Sequence, residues 1–324
     1  MTIMRRPLAK RIMLISGIAL LLILTASAGY GWYLYRSVEQ TVVRMYEPIE
    51  SDEPDAGIGN PEGRKRPERL PLAQRDKEQQ PFTVLIMGID ERPGDPGRSD
   101  TLIVISVNPD KEEALLFNIP RDTRTEIVGR GVADKINHAH AFGGVKMTVE
   151  TVERFLDYPI DYYMKVNMEG FVALIDLLGG VEVNNTFAFD NSGYHFDKGV
   201  IQLQGEEALS FSRMRYEDPR GDLGRNERQR AVIRAIMDKT LTFSNVTQVN
   251  KVLDQVAGYV KTNMTFDEMK TFLFHYRPRI KTISSTEIKG SGTRIGGIYY
   301  YQVDGAERDR IHKLLAEHQT GGDG

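Results

Sequence analysis

Apolar and polar positions along the chain fall into three regimes, each predicting a different kind of element. Residues 12–35 form an uncharged, largely apolar run. As a helix it would be about 36 Å long, enough to cross a hydrocarbon core with modest tilt. Residues 36–81 sustain no apolar period, and prolines 48, 54, 61, 67, 71 and 81 mark a stalk or linker. From Phe82 onward, short β-branched runs alternate with longer amphipathic ones. Residues 82–89, 101–107 and 113–119 read as buried strands, and Asn108-Pro109-Asp110-Lys111 turns the second into the third. Residues 145–156, 168–178, 206–213, 226–241, 248–259, 266–276 and 306–318 read as helices, with strands at 181–185, 280–288 and 298–303. The pattern predicts one α/β domain over residues 82–318. A mixed central sheet carries helices on both faces, a three-layer α-β-α arrangement preceded by one transmembrane helix. Residues 319–324 read as a flexible tail.

Charge sharpens the reading of the first run. Arg5, Arg6, Lys10 and Arg11 precede it, and Tyr30, Trp32, Tyr33 and Tyr35 cluster at its far end. Amphipathic rings favour the membrane–water interface, and basic flanks stay in the cytoplasm. The expected layout is therefore a single-pass protein of the cell membrane. Residues 1–11 are a cytoplasmic tail, 12–35 the span, 36–81 the stalk, and the folded domain is extracellular. Ala26-Ser27-Ala28 offers a cleavage site, so a removed leader is the rival reading. The apolar run continues past it into the aromatic cluster, which suits a retained anchor.

Composition removes several function classes. The 324 residues carry a net charge of −3, which leaves no bulk positive charge to hold nucleic acid. Cysteine is absent, so disulfides, thiolate zinc sites, iron–sulfur clusters and cysteine nucleophiles are excluded.

The chemistry-bearing residues are acids and arginines. If the first three strands form a meander, Asp90 and Arg92, then Arg98 and Asp100, then Arg121 and Asp122 share one rim of the sheet. A surface salt-bridge cluster would look similar in sequence. Asp90 and Asp100 are carboxylates suited to a hard divalent cation, magnesium or in its place manganese, which completes its shell with water and substrate phosphate. Residues 213–234 hold seven arginines and no lysine. Arginine without lysine points to planar, bidentate recognition of phosphate or carboxylate. Arg225, Gln229, Val232 and Ile236 keep a helical period, so polar groups extend the buried stripe of their helix. Burying arginine requires an anionic partner.

In this order stand Gly88-Ile89-Asp90-x-Arg92, Arg98-Ser99-Asp100-Thr101, Ile119-Pro120-Arg121-Asp122 and Lys135-Ile136-Asn137-x-Ala139. They are followed by Leu177-Leu178-Gly179-Gly180-Val181, Ser212-Arg213-x-Arg215 and Asp222-x-Gly224-Arg225-x-x-Arg228-Gln229. Over about residues 82–243 the chain resembles the LytR–CpsA–Psr family of cell-wall glycopolymer ligases of Gram-positive bacteria. The resemblance implies an enzyme that moves a glycopolymer, such as teichoic acid or capsule, from a polyprenyl-pyrophosphate carrier to a peptidoglycan hydroxyl. It implies a phosphodiester product, with Asp90 and Asp100 holding magnesium. Arg121, Arg213, Arg215, Arg225 and Gln229 would contact the pyrophosphate. Lys135 matches a further basic position, and Arg92, Arg98, Asp222 and Arg228 would support them. The general base stays open between Asp222 and Asp90. An apolar pocket for the polyprenyl chain is expected, with Phe155, Leu156, Phe171, Leu174, Ile175 and Leu178 as candidates, although core packing explains them as well. Competing readings are a lipid-pyrophosphate pyrophosphatase, a non-catalytic receptor and a transcriptional attenuator.

Overall fold

The computed structural model describes residues 6–49, 72, 75, 80–91, 94–240 and 257–320. Helix α1 (Arg6–Met45) leads to strands β1 (Phe82–Ile89), β2 (Ser99–Asn108) and β3 (Glu113–Asn118). A hairpin of β4 (Arg124–Ile127) and β5 (Val132–Lys135) precedes α2 (His138–Leu156), β6 (Tyr162–Asn167) and α3 (Met168–Leu177). Strands β7 (Val181–Asn185), β8 (Phe189–Asn191), β9 (Tyr194–Phe196) and β10 (Gly199–Leu203) are followed by α4 (Gly205–Arg213) and α5 (Asp222–Thr240). The last part holds β11 (Val260–Thr262), α6 (Phe266–Thr271) with a wider π turn (Phe272–Tyr276), and β12 (Thr282–Ser285). It ends with β13 (Ser291–Ile295), β14 (Ile298–Gln302) and α7 (Gly305–Gln319).

The apolar runs pair as the expected meander: β1 is antiparallel to β2, and β2 to β3. Parallel strands extend it on both sides, β6 beside β1 and β12 beside β3, and β11 closes the β6 edge. The mixed order is β11-β6-β1-β2-β3-β12. Both faces are covered, which is why the strands read as continuous rather than alternating apolar runs. Leu85, Met87, Leu102, Val104 and Phe117 pack on α2 and α7 through Val149, Val152, Phe155, Ile311 and Leu315. Ile103, Ile105, Val107 and Leu116 face the other way, onto Tyr276, Ile280 and the α5 residues Ile233 and Met237. A third cluster joins α3, α4 and α5 to β7–β10 through Ile175, Val183, Phe189, Phe196, Phe211 and Val232. Helix α5 therefore serves two cores, which fixes it in both translation and rotation.

Several boundaries differ from the sequence pattern for identifiable reasons. Strand β6 escapes the pattern because Lys165 and Asn167 break its apolar run, and parallel pairing with β1 holds it in the sheet. Helix α2 starts at His138, ahead of a kink at Gly143 and Gly144. Helix α5 starts at Asp222, so Arg225 lies in its first turn. The helix expected at 248–259 falls largely outside the described residues, as do most of 50–81 and residues 321–324. The linker was expected from residue 36, but α1 runs on to Met45, because Val42 and Met45 are buried and Met45 packs on Val166, Ala257 and Val260. Tyr46 then bridges Thr262, and the Tyr163 hydroxyl donates to the Glu47 carbonyl at 2.6 Å. Leu72 is fully buried in the second core and Arg75 lies 2.5 Å from Asp161, so the folded unit draws in residues before Phe82. At the other end, the Gln319 amide donates to Ser106 at 2.6 Å, which ties down the first residue of the expected tail. The span Met13–Met45 is long and apolar enough to cross a membrane.

His318 is buried between α7 and β2 and hydrogen-bonded to Ser106 at 2.7 Å. Burial lowers its pKa below the ordinary histidine value, and Glu113 offsets this in part. Burial likewise lowers that of His140. Below about pH 6.5 an unfolded chain takes up protons that these rings resist in the native state, so stability falls as pH drops. The unfolding midpoint in detergent is expected to be lower at about pH 5.5 than at about pH 7.5, and His318→Gln to flatten that dependence.

Candidate active site

Strand register builds one rim from residues far apart in sequence. Gly88 pairs with Thr101 and Ile89 with Ser99, which leaves Asp100 as the extra residue of a β-bulge. Bulges re-aim side chains. The Asp100 carboxylate accepts from Arg121 Nη1 and from Asn137 Nδ2, each at 2.9 Å. Asp90 follows β1, and its backbone N–H donates to the Arg98 carbonyl at 3.4 Å. The loop between them closes tightly: Gly97 has φ +70°, and a Cβ there would meet the Asp90 carbonyl at 2.5 Å. Arg98 is exposed on this loop, and Arg92 lies outside the described residues. Behind Arg121, Asp122 receives Lys135 Nζ at 2.7 Å and lies 3.8 Å from Arg121 Nε. Parallel β6 sets Asn167 beside Ile89, and Arg213 reaches the next residue, placing its Nη1 3.3 Å from Met168 Sδ.

Helix α5 brings its arginines to this rim, but they serve different ends. Gly224 lets the helix approach the Asp218 carboxylate, which a Cβ at that position would overlap. Arg228 donates to Asp218 at 2.6 Å and to the Met214 carbonyl at 2.5 Å, with its guanidinium 5.4 Å from the Phe189 ring centre. Gln229 donates to Thr101 Oγ1 at 2.9 Å and accepts from Asn118 at 3.0 Å. Arg230 donates to Asn118 at 3.0 Å and to Glu287 at 2.9 Å. These three fasten α5 to the sheet and to the 214–218 loop.

Arg225 is different. It is 7% exposed, and its Nη2 lies 2.8 Å from Asp222 Oδ1 without the alignment of a hydrogen bond. Its Nε and Nη2 have no hydrogen-bond partner, and neither do Arg121 Nε and Asn137 Oδ1 beside Asp100. Burial pulls its pKa below the ordinary arginine range; Asp222 and Asp100 oppose that, while Arg121 and Arg215 add to it. Arg215 is half-buried, its guanidinium 5.2 Å from the Tyr216 ring centre. Native structures rarely leave buried donors unpaired, and a cluster of them with the same charge is a place for an anion.

The structure redistributes some expected site residues. Gln229 and Arg228 are committed to structural hydrogen bonds within the protein. Phe155 belongs to the core beneath α2 and α7, with Leu156, whereas Ile175 belongs to the third cluster with Phe171 packed against it. Those side chains therefore do not line one common pocket. Leu178 is buried and Leu174 half-buried at the end of α3. His138 pairs with Asp134 at 2.8 Å, while the His140 ring lies against the Gly97 carbonyl, so the two do not converge on a metal.

One residue absent from the sequence reading joins the site. Tyr299 of β14 packs its ring against Gly292, where a Cβ would lie 2.8 Å away. Burial raises the pKa of its hydroxyl, with Asp122 and Asp222 adding to this and Arg215 opposing it. The Gly296-Gly297 turn between two short β-prone runs is the signal that would have found this hairpin. For a divalent cation, the oxygen donors available are Asp90, Asp100 and the unpartnered Asn137 Oδ1. Among the described residues, no group of three or more His, Cys, Asp or Glu side chains is placed to hold a metal ion, at this rim or elsewhere.

Removing Arg228 would leave Asp218 buried and unpaired. Arg228→Ala is expected to destabilise the fold by about 3 kcal/mol, read as a drop in the unfolding midpoint in detergent.

Comparison with known proteins agrees with this architecture. The LytR_cpsA_psr family model matches residues 32–317. The polyisoprenyl-teichoic acid–peptidoglycan teichoic acid transferase TagU of Bacillus subtilis strain 168 is 47% identical over 296 residues, covering 91% of this chain and 92% of its own. A crystal structure of B. subtilis TagU superposes with a TM-score of 0.62 at 49% identity, over 74% of this chain and 97% of that one. The LytR-CPS2A-psr family protein YwtF (TagT), solved with bound octaprenyl pyrophosphate lipid, gives a TM-score of 0.60 at 29% identity, over 74% and 91%. A family model that spans most of the chain and a relative 47% identical over nine-tenths of it show that this chain belongs to the LytR–CpsA–Psr family.

Proposed function

We propose that the chain transfers a teichoic-acid-like glycopolymer from a polyprenyl-pyrophosphate carrier to a hydroxyl of peptidoglycan. The observation that carries this reading is the buried guanidinium of Arg225, two of whose nitrogens make no hydrogen bond, within the electrostatic reach of Arg121 and Asp100. A diphosphate supplies the charge and the acceptor oxygens those donors lack. YwtF holds such a lipid, and TagU carries the transferase name, which supports the same substrate class.

In this reading Arg225 and Arg121 grip the diphosphate, with Arg215 and Arg213 adding charge from the open side. The acceptor oxygen attacks the glycan-side phosphorus as the bridging P–O bond breaks. A phosphodiester forms, and polyprenyl phosphate leaves. Negative charge grows on the leaving phosphate, and fixed guanidinium donors stabilise it without reorganising. Magnesium at Asp90 and Asp100 would neutralise phosphate charge; hard oxygen donors suit it. Asp222 lies beside Arg225 and is the candidate to take the hydroxyl proton, with Asp90 the other. Helix α1 anchors the chain through residues 12–35, with residues 1–11 in the cytoplasm and the domain outside.

Arg225→Ala is expected to lower transfer about 100-fold or more, and Arg225→Lys to restore little, because a point charge cannot replace a planar fork. The assay combines labelled polyprenyl-pyrophosphate glycan, magnesium and peptidoglycan oligosaccharide. A joined product supports transfer, free phospho-glycan indicates hydrolysis instead, and unchanged donor indicates a receptor. Full transfer by Asp222→Asn would remove Asp222 as the base. Chelation with EDTA is expected to abolish transfer, with recovery on adding magnesium.

A further inference from the structure

We infer that the turn following α6 is a docking surface for the lipid bilayer, holding the catalytic domain against the leaflet in which its anchor ends. The inference rests on the reading of α1 as a membrane anchor. Tyr35 closes the aromatic cluster at the end of the apolar run, where such rings sit at the membrane–water interface. In the structure Tyr35 does not stand free of the domain. Its ring meets Phe266 edge-on with centres 5.5 Å apart, and Lys270 Nζ lies 3.2 Å from its hydroxyl. Lys270 also covers the Phe266 ring at 4.8 Å. The first turns of α6 are therefore fixed at the level of the interface.

The next turn exposes what an interface would cover. Leu273 is 45% exposed and Phe274 72% exposed, three and four residues beyond the Lys270 that meets Tyr35. They are not failed core residues. Phe272 and Tyr276 take the inward positions, each packing on Phe82 with ring centres 6.0 and 5.1 Å away. The π turn widens the helix here and pushes Leu273 and Phe274 outward between them. Arg36, whose side chain is 56% exposed, lies over Trp32 and pairs with Glu39 at 3.0 Å, which puts polar groups at headgroup depth. The surface is coupled to the fold, since Glu268 accepts from the Tyr162 hydroxyl of β6 at 2.9 Å. Docking would thus orient the central sheet relative to the membrane that supplies the lipid-linked donor. A lipid leaflet, rather than a protein partner, is the occupant because the patch is continuous with the membrane-interface aromatics of α1.

The cysteine-free sequence makes the test direct. Full-length Phe274→Cys, His195→Cys and Ile23→Cys proteins, each labelled with an environment-sensitive fluorophore, are reconstituted in vesicles of phosphatidylcholine and phosphatidylglycerol. The label at 274 is expected to be quenched by shallow spin-labelled lipid and to be about threefold less accessible to aqueous iodide than the label at 195. Equal iodide access at 274 and 195, with the label at 23 quenched by deep spin-labelled lipid, would overturn the docking surface alone. An unquenched label at 23 would overturn the anchor reading and the docking with it. A paired Leu273→Asp/Phe274→Asp variant is expected to lose transfer in vesicles while keeping it in detergent. Equal loss in both would also count against docking.

Discussion

The candidate site is organised around one buried cation. Arg225 is held in the first turn of α5, almost wholly out of water, with two of its nitrogens unpartnered and two further guanidiniums nearby. Such an arrangement is costly in the unliganded protein, since a buried charge without full hydrogen bonding forfeits its hydration. It persists because the surrounding structure leaves the side chain nowhere else to go. Helix α5 is wedged between two hydrophobic cores, and Arg228, Gln229 and Arg230 tie it to the sheet and the 214–218 loop. The residues beside the site thus supply rigidity, and Arg225 spends it.

The opposite wall follows from backbone geometry. The bulge at Asp100 turns one carboxylate into the rim, where Arg121 and Asn137 fix it. Antiparallel order along β1–β2–β3 gathers Asp90, Asp100 and Arg121 with little chain between the strands, while parallel β6 delivers α3 and Met168 to the same end. Acids and guanidiniums thus share one end of the sheet. Opposite charges hold each side chain in place, and the guanidinium surplus remains for an incoming anion.

Much of this was legible before any coordinates. The meander, the inward period of Arg225, Gln229 and Val232, and the apolar N-terminal run all follow from spacing. What spacing could not separate was the role of neighbours on the same stripe. Arg225, Arg228 and Gln229 are buried to similar degrees, and only three-dimensional partners divide a guanidinium with unmade hydrogen bonds from two structural ties. Phe155 and Ile175 carry the same apolar signal in sequence, but they are buried in separate clusters. Strand β6 was hidden because two polar residues interrupt it and its stabilising partner lies more than seventy residues earlier in the chain. Tyr299 was hidden because the charges that act on it, Asp122, Asp222 and Arg215, come from elements remote in sequence.

The same logic separates the anchor from an ordinary tether. A flexible stalk would decouple the domain from the bilayer, leaving the domain free to tumble at any height within reach. Here α1 continues past its aromatic cluster as a helix, buries Val42 and Met45, and enters the sheet edge through the Tyr46–Thr262 bridge. Lys261 adds a hydrogen bond to the Arg44 carbonyl at 2.8 Å. A rigid helix docked at two points transmits its orientation to the sheet, and through β6 to the rim that carries Asp90. For a substrate whose tail stays in lipid while its diphosphate must reach a fixed guanidinium, that rigidity reduces the orientational freedom lost on binding. On the proposed reading, α1 would then serve substrate binding as well as attachment.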